Sequence, residues 1–213
     1  VLYDMSNYNN TTTAVGGNPQ WEGDGWAFNG NDFFRQNGGS LASALNGKTK
    51  ITMMGYVSDK ANISRHSIVA VSDLSENDKY VALSMFGNQA DFVYRRTTSF
   101  NEAPGSTTLA DESRHVLIGV MRATDDLEVW ANGKLDGINT SNRNITTTFD
   151  EVEIGALGRN GTPGGTDPSN MVIYATAVWA RDLSPSDIRI LSRDPLAPFR
   201  LRDDTALATA AMF

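Results

Sequence analysis

Two glutamates set one residue apart, Glu151 and Glu153 in the stretch FDEVEIG, are the first residues of this chain whose type and spacing suggest chemistry. On an extended strand both project from one face. Glycoside hydrolysis uses a pair of carboxyl groups several ångströms apart, one as acid and one as base or nucleophile. The plainer reading of the same pattern turns Val152 and Ile154 into the core and leaves both glutamates in water, as on any half-exposed strand. That orientation is the one expected. A neutral-pH base has two candidates, His66 and His115, far apart in the chain. No Gly-x-Ser-x-Gly element and no cysteine is present, which argues against nucleophilic hydrolysis and against zinc. The tryptophans Trp21, Trp26, Trp130 and Trp179 suggest a sugar-stacking surface, although packing explains most aromatics in β-proteins. Trp130 is out of phase with Leu127 and Val129 and is the one expected to be exposed.

Bulk composition limits the partners. The chain has 213 residues, 40% hydrophobic and 20% charged, a globular balance of ordinary size for one all-β sandwich. A net charge of −7 argues against a phosphate-binding surface and against attachment to anionic lipid. Nucleic acid and membrane are therefore not expected partners. No run approaches the length of a membrane span, and the start VLYDMSNYNN lacks a signal pattern. The chain begins without methionine, which suggests that sequence upstream was removed or never included. The absence of cysteine fits either a reducing compartment or an unstapled extracellular scaffold.

Strand-length apolar segments recur at short, even spacing. They run from GWAFNGNDFF (Gly25 to Phe34) through TKITMMGYV, HSIVAVSD, KYVALSMFG, ADFVYRRT, RHVLIGVMRA, DLEVWANG and FDEVEIGAL to MVIYATAVWA (Met171 to Ala180). Each is rich in β-branched and aromatic residues and bounded by turn formers. That spacing predicts an antiparallel sandwich rather than strands alternating with crossover helices. Asn132-Gly133 predicts a type I′ hairpin turn. Ser184 reads as an N-cap, with Pro185 at the first helical position and Asp187 at the third, the aspartate form of a capping box. Ile188 and Leu191 share one face of that short helix, and Asp194-Pro195 ends it. The Gly- and Pro-rich stretch Gly158 to Asn170 is expected to be a mobile surface loop.

Taken in order, these pieces resemble the laminin-G-like, concanavalin-A-like jelly-roll domains, from about Asp4 to Phe199. GWAFNGNDFF is similar to the Phe-Asp-Gly-x-Asp-Asp-Tyr element of that family, SRHVLIGVM to its His-Val strand and LEVWANGKLDG to its hairpin. EVEIGALG is similar to its Ile-Gly strand, and VIYATAVWARDLSPSDIRIL to its closing strand and helix. The resemblance implies an all-β, antiparallel two-sheet jelly-roll sandwich with a short C-terminal capped helix and an extended tail. Residues 1–199 form the sandwich, with 1–20 as an Asn/Thr-rich opening loop, and 200–213 form the tail. It also gives His115 a structural place beside a core strand. Ser113 and Arg114 stand where the family has an aromatic residue. The usual first strand, upstream of Val1, is largely missing, which leaves room for another element to complete the sheet. Some relatives of this type are glycosidases with three alternating carboxylates, but the third position here is Gly155. Many such domains bind calcium through aspartates and loop carbonyls. Asp24, Asp32, Asp125, Asp126 and Asp167 could supply oxygens, yet none falls in a linear calcium loop and aspartate is common in turns. No cofactor is assigned beyond that calcium option.

The continuation RDPLAPFR and the Asp-x-Ser-x-x-x-Asn opening resemble versions found in tailed-bacteriophage virion proteins. The tail RLRDDTALATAAMF lies beyond the capping helix, where a finished sandwich has no core left to fill. Arg200, Leu201, Leu207, Met212 and Phe213 are the residues expected to make assembly contacts, with folding back onto the chain's own sandwich as the alternative. The leading functional expectation is a non-enzymatic bacteriophage virion structural protein, decorating or bridging capsid or tail. Its partners would be other virion subunits, including copies of itself as a homo-oligomer. The alternative is an extracellular carbohydrate-binding, host-adhesion module. A glycoside hydrolase is a distant third.

Overall fold

The computed structural model describes residues 13–38, 40–59, 65–76, 78–96, 99–123, 125–141, 148–159, 162–200 and 211–212. In chain order the first elements are β1 (Thr13–Gly16), β2 (Gln20–Glu22), β3 (Gly25–Ala27), β4 (Asp32–Asn37) and a short helix α1 (Ser40–Leu45). Five long strands follow: β5 (Ile51–Asp59), β6 (Arg65–Ser72), β7 (Lys79–Phe86), β8 (Gln89–Arg96) and β9 (Ser99–Pro104). Then come β10 (Arg114–Ala123), β11 (Asp126–Ala131), β12 (Lys134–Asn139), β13 (Glu151–Ile154), β14 (Leu157–Arg159) and β15 (Thr162–Thr166). The chain closes with β16 (Met171–Trp179), α2 (Pro185–Arg193), a 3-10 turn at Ala197–Phe199 and β17 (Ala211–Met212).

These strands form the expected all-β sandwich of two antiparallel sheets. A seven-stranded sheet has the order β1-β4-β13-β6-β7-β8-β9. The facing sheet has the order β12-β11-β10-β5-β16-β3-β2, with β17 also paired to β16. The main core lies between them, built from inward residues such as Val69, Val81, Leu83 and Phe92 against Met53, Leu117, Leu127 and Val129. At the centre the sheets approach closely. A side chain on Gly119 would meet the Phe92 ring at 2.1 Å, and one on Gly55 would meet Ile68 Cγ2 at 2.5 Å.

Several local expectations hold. Asn132 and Gly133 have φ of 51° and 80°, as a type I′ turn requires. The Ser184 hydroxyl accepts from the Asp187 amide and the Asp187 carboxylate accepts from the Ser184 amide, so the capping box is complete. Ile188 and Leu191 are both buried.

Other expectations are corrected. Gly25 to Phe34 is two strands, β3 and β4, separated by a turn, rather than one. The stretch read as a mobile loop between Gly158 and Asn170 contains the β14–β15 hairpin. Its glycines and proline do not prevent pairing because Leu157 anchors it on the outer face of the seven-stranded sheet, against Ala70, Tyr80, Ala82 and Val93. Trp130 does lie on the outer face of its sheet, but it is only 6% exposed. Helix α2 covers that face, packing Ile188 and Leu191 with Trp130, Ile118 and Trp179. Trp130 Nε1 donates to Glu128 Oε2 at 2.7 Å, and Arg122 holds the same carboxylate at 2.7 Å through two nitrogens. The exposed tryptophan is Trp21, stacked edge-on against Trp26.

The close approach at Gly119 gives a direct test. Gly119→Ala is expected to lower the free energy of unfolding by about 1–3 kcal/mol, the usual cost of overpacking a tight core. Urea titration of both proteins measures it.

Candidate functional site

Both sheets are covered on their outer faces, one by α2 and the other by β14–β15, and this changes what the outward residues experience. Glu151 and Glu153 are 0% and 1% exposed, not in water as the alternation suggests. They do project away from Val152 and Ile154, but onto a covered face. Arg35, on the adjacent β4, reaches Glu151 with Nε and Nη2, each 2.6 Å from a carboxylate oxygen. The bidentate bond to Glu151 raises the Arg35 pKa despite partial burial. Glu153 lies under Gly158 of β14, where an added side chain would meet its carboxylate at 2.8 Å. The pair is thus a buried structural feature without room for a substrate between its members.

The histidines are held by backbone. His66 Nδ1 lies 3.0 Å from the Pro168 carbonyl. His115 Nε2 lies 3.0 Å from the Ala110 carbonyl, and its Nδ1 lies 3.1 Å from Asn132 Nδ2. With both ring nitrogens engaged, His115 locks the β10–β11 hairpin. The candidate calcium aspartates are not brought together. Asp24 pairs with Arg114, Asp32 is buried beside Gly17 at the start of β4, Asp125 and Asp126 lie at the turn into β11, and Asp167 follows β15. Among the described residues no group of three or more His, Asp or Glu side chains is arranged around a metal position.

Of the tail residues, Arg200 forms a two-pronged ion pair with Asp194, at 2.6 and 2.9 Å. The Met212 backbone pairs with Ala177, and Ala211 with Val178. Partners for Arg200 and Met212 therefore lie within the chain. Leu201, Leu207 and Phe213 lie outside the described residues.

The feature that concentrates polar and aromatic groups is an open cleft of about 640 Å³ beside the β14–β15 hairpin. It is lined by Arg65, Tyr80, Phe86, Arg95, Phe100, Arg159 and Asp167. Strand register builds it. A row of small residues, Ala70, Ala82 and Val93, runs across β6, β7 and β8 and receives Leu157. Arg65 stands opposite Phe86 and Arg95 opposite Phe100 on neighbouring strands. The Arg65 guanidinium lies 5.3 Å from the Phe86 ring centre and 6.0 Å from that of Phe100, within cation–π range. The two rings are nonetheless 59% and 38% exposed.

Under this cleft the charges are paired. Arg65 Nη2 lies 2.8 Å from Asp91 and also contacts Glu102. Arg95 and Arg159 both hold Asp78, at 2.7 and 2.9 Å. Asp91 is fully buried, and no donor is aligned on either of its oxygens. Burial pushes its carboxyl up to about 8, with neighbouring Glu102 acting in the same direction and Arg65 opposing. Burial likewise raises Asp167, with Arg65, Arg159 and His66 opposing.

None of these cleft residues was singled out by the sequence except Asp167, and that one as a possible calcium ligand. The available signal was polar residues at outward phase in strongly apolar strands: Asp91 and Arg95 in ADFVYRRT, and Arg65 before His66. Their convergence depends on register, which a single sequence does not give.

Comparison with known proteins adds the fold. No protein-family model matches the chain, and no curated protein sequence matches it. Among solved structures, botulinum neurotoxin type C, in a study of its interaction with two ganglioside molecules, superposes with a TM-score of 0.69 at 14% identity. The match covers 91% of this chain and 48% of the neurotoxin chain. The binding domain of botulinum neurotoxin DC in complex with rat synaptotagmin II gives 0.69 at 15% identity, with 91% and 48% covered. A mutant of NanB sialidase from Streptococcus pneumoniae gives 0.61 at 13% identity, with 82% and 28% covered. The shared property is the β-sandwich jelly roll. The chain spans about half the length of the neurotoxin structures it matches.

Asp91 supplies a pH test. A carboxyl whose pKa is raised on folding takes up a proton in the native state, so its stabilising effect is complete at acid pH. It is lost as pH rises from about 4, the unfolded value, through about 8. Asp91→Asn cannot ionise. Its thermal midpoint is expected to fall less than that of the parent between pH 5 and pH 8.5, by about 2–4 °C for each kcal/mol of removed dependence. Thermal melts of both proteins across that range check it.

Proposed function

We propose that this chain is a non-enzymatic carbohydrate-binding module, serving adhesion, and that its ligand occupies the cleft beside β14–β15. The observation that carries the reading is the pair of exposed phenylalanines, Phe86 and Phe100, flanking a floor of fixed arginines and carboxylates. Saccharide sites combine an apolar ring surface, which meets the C–H face of the sugar, with a few oriented polar groups that meet hydroxyls. The likeness to the neurotoxin and sialidase structures supports the reading at the level of fold. Binding rather than hydrolysis is supported by the burial of Glu151 and Glu153 and by the engagement of Glu151 with Arg35. The setting that suits such a module is an exposed one, extracellular or on a virion surface.

A second reading, a bacteriophage virion structural subunit that decorates or bridges capsid or tail, rests on the resemblance of RDPLAPFR and the opening loop. The structural observation on its side is β12, which ends its sheet and exposes Leu135 and Ile138, a surface suited to contact with another subunit. Loss of particle incorporation on Leu135→Lys with Ile138→Lys, while glycan binding persists, would favour it.

The main reading predicts that Phe86→Ala and Phe100→Ala each weaken glycan binding about tenfold, roughly 1.4 kcal/mol. Thermal midpoints should change little, because both rings are largely outside the core. A glycan array on which the parent protein stays blank would count against the assignment.

A further inference from the structure

The cleft also indicates which saccharides it accepts, an inference that rests on the carbohydrate-binding reading above. Three guanidinium groups line it, which at first suggests an acidic sugar. Their partners argue otherwise. Arg65 is engaged by Asp91, Glu102 and two aromatic rings. Arg95 and Arg159 share Asp78. Asp78 and Glu102, with the buried Asp91 whose carboxyl is pushed up to about 8, thus already engage all three guanidinium groups. A ligand carboxylate or sulfate entering here must draw a guanidinium away from Asp78 or Glu102 while sharing the cleft with Asp167. Both steps are unfavourable in a partly desolvated site.

Asp167 is different from the other three acids. Among the described residues no donor hydrogen-bonds to its carboxylate and no cation lies within ion-pair distance of it, although Arg65, Arg159 and His66 act on it from further away. Its backbone is nevertheless fixed. The Ser67 amide donates to its carbonyl at 2.9 Å, and His66 holds the next carbonyl, of Pro168. Its φ of 49° is left-handed, a conformation that aspartate and asparagine tolerate better than other residues with side chains. The result is a carboxylate carried on a fixed backbone and lining the same cleft as the two exposed rings. An ionised carboxylate accepts from adjacent hydroxyls and donates nothing.

We propose that the cleft takes a neutral pyranose, whose neighbouring hydroxyl groups donate to the Asp167 carboxylate while its C–H face meets Phe86 or Phe100, and that it selects against sugars bearing a carboxylate or sulfate. Asp167 is the specificity-determining residue.

The test is titration of the full chain with methyl glycosides of galactose, glucose and mannose, with lactose, and with sialyllactose and a methyl glucuronoside, read by calorimetry and saturation-transfer NMR. At least one neutral sugar is expected to bind, with sialyllactose no tighter than lactose and the glucuronoside weaker than the glucoside. Asp167→Asn and Asp167→Gly, both compatible with the left-handed backbone, should weaken neutral-sugar binding by about tenfold or more, roughly 1.4 kcal/mol, while both variants still unfold cooperatively in thermal melts. Preference for the acidic sugars overturns this proposal and leaves the carbohydrate-binding reading standing. So does neutral binding that Phe86→Ala abolishes but both Asp167 variants leave intact. No binding to any sugar overturns both.

Discussion

Charge withdrawn from water on the outer face of the seven-stranded sheet is the constraint around which this molecule is organised. An ionised side chain taken out of solvent is costly unless an opposite charge or several donors meet it. Arg35 with Glu151, Arg65 with Glu102, and Arg95 and Arg159 with Asp78 each meet that requirement, whereas Asp91 meets it only in part and burial raises its carboxyl instead. The hairpin β14–β15 both imposes the constraint, by covering the face, and takes part in meeting it through Arg159. The cleft occurs where this covering stops.

The two faces of the sandwich solve the same problem with different means. On one side α2 lays Ile188 and Leu191 over Ile118, Trp130 and Trp179, and Arg122 with Glu128 is the polar pair beneath its edge. On the other side the cover is one leucine, Leu157, over alanines and a valine, with ion pairs around it. The first arrangement is largely apolar and closed. The second leaves fixed polar groups at a partly open boundary, where a ligand can meet them. That asymmetry places the candidate site on the seven-stranded sheet.

Elements defined by near neighbours in sequence were legible. The Asn132-Gly133 turn and the Ser184 capping box need only residues a few positions apart, and both stand as read. The alternation in FDEVEIG correctly separated Glu151 and Glu153 from Val152 and Ile154. It failed as a statement about water, because outward and exposed are different properties once another element lies over the sheet. Trp130 failed in the same way. The hairpin at Leu157–Thr166 was hidden because glycine and proline carry no strand preference, and its anchoring is a contact with Ala70, Ala82 and Val93 from distant segments. The cleft was the least legible part. Arg65, Phe86 and Phe100 meet only through cross-strand register, and the aromatics at the cleft are phenylalanines rather than the tryptophans that draw the eye.

The absence of side chains at Gly55 and Gly119 has an effect beyond packing. With Ile68 and Phe92 seated directly against the opposite backbone, the middle of the sandwich leaves no gap for its layers to close. The groups that would greet a sugar are therefore mounted on a stiff plate. On the proposed reading, association there would spend little on ordering the host, since the receptor geometry exists before the guest arrives. On the same reading, selectivity would rest on fit to a site shaped in advance instead of on closure around whatever enters.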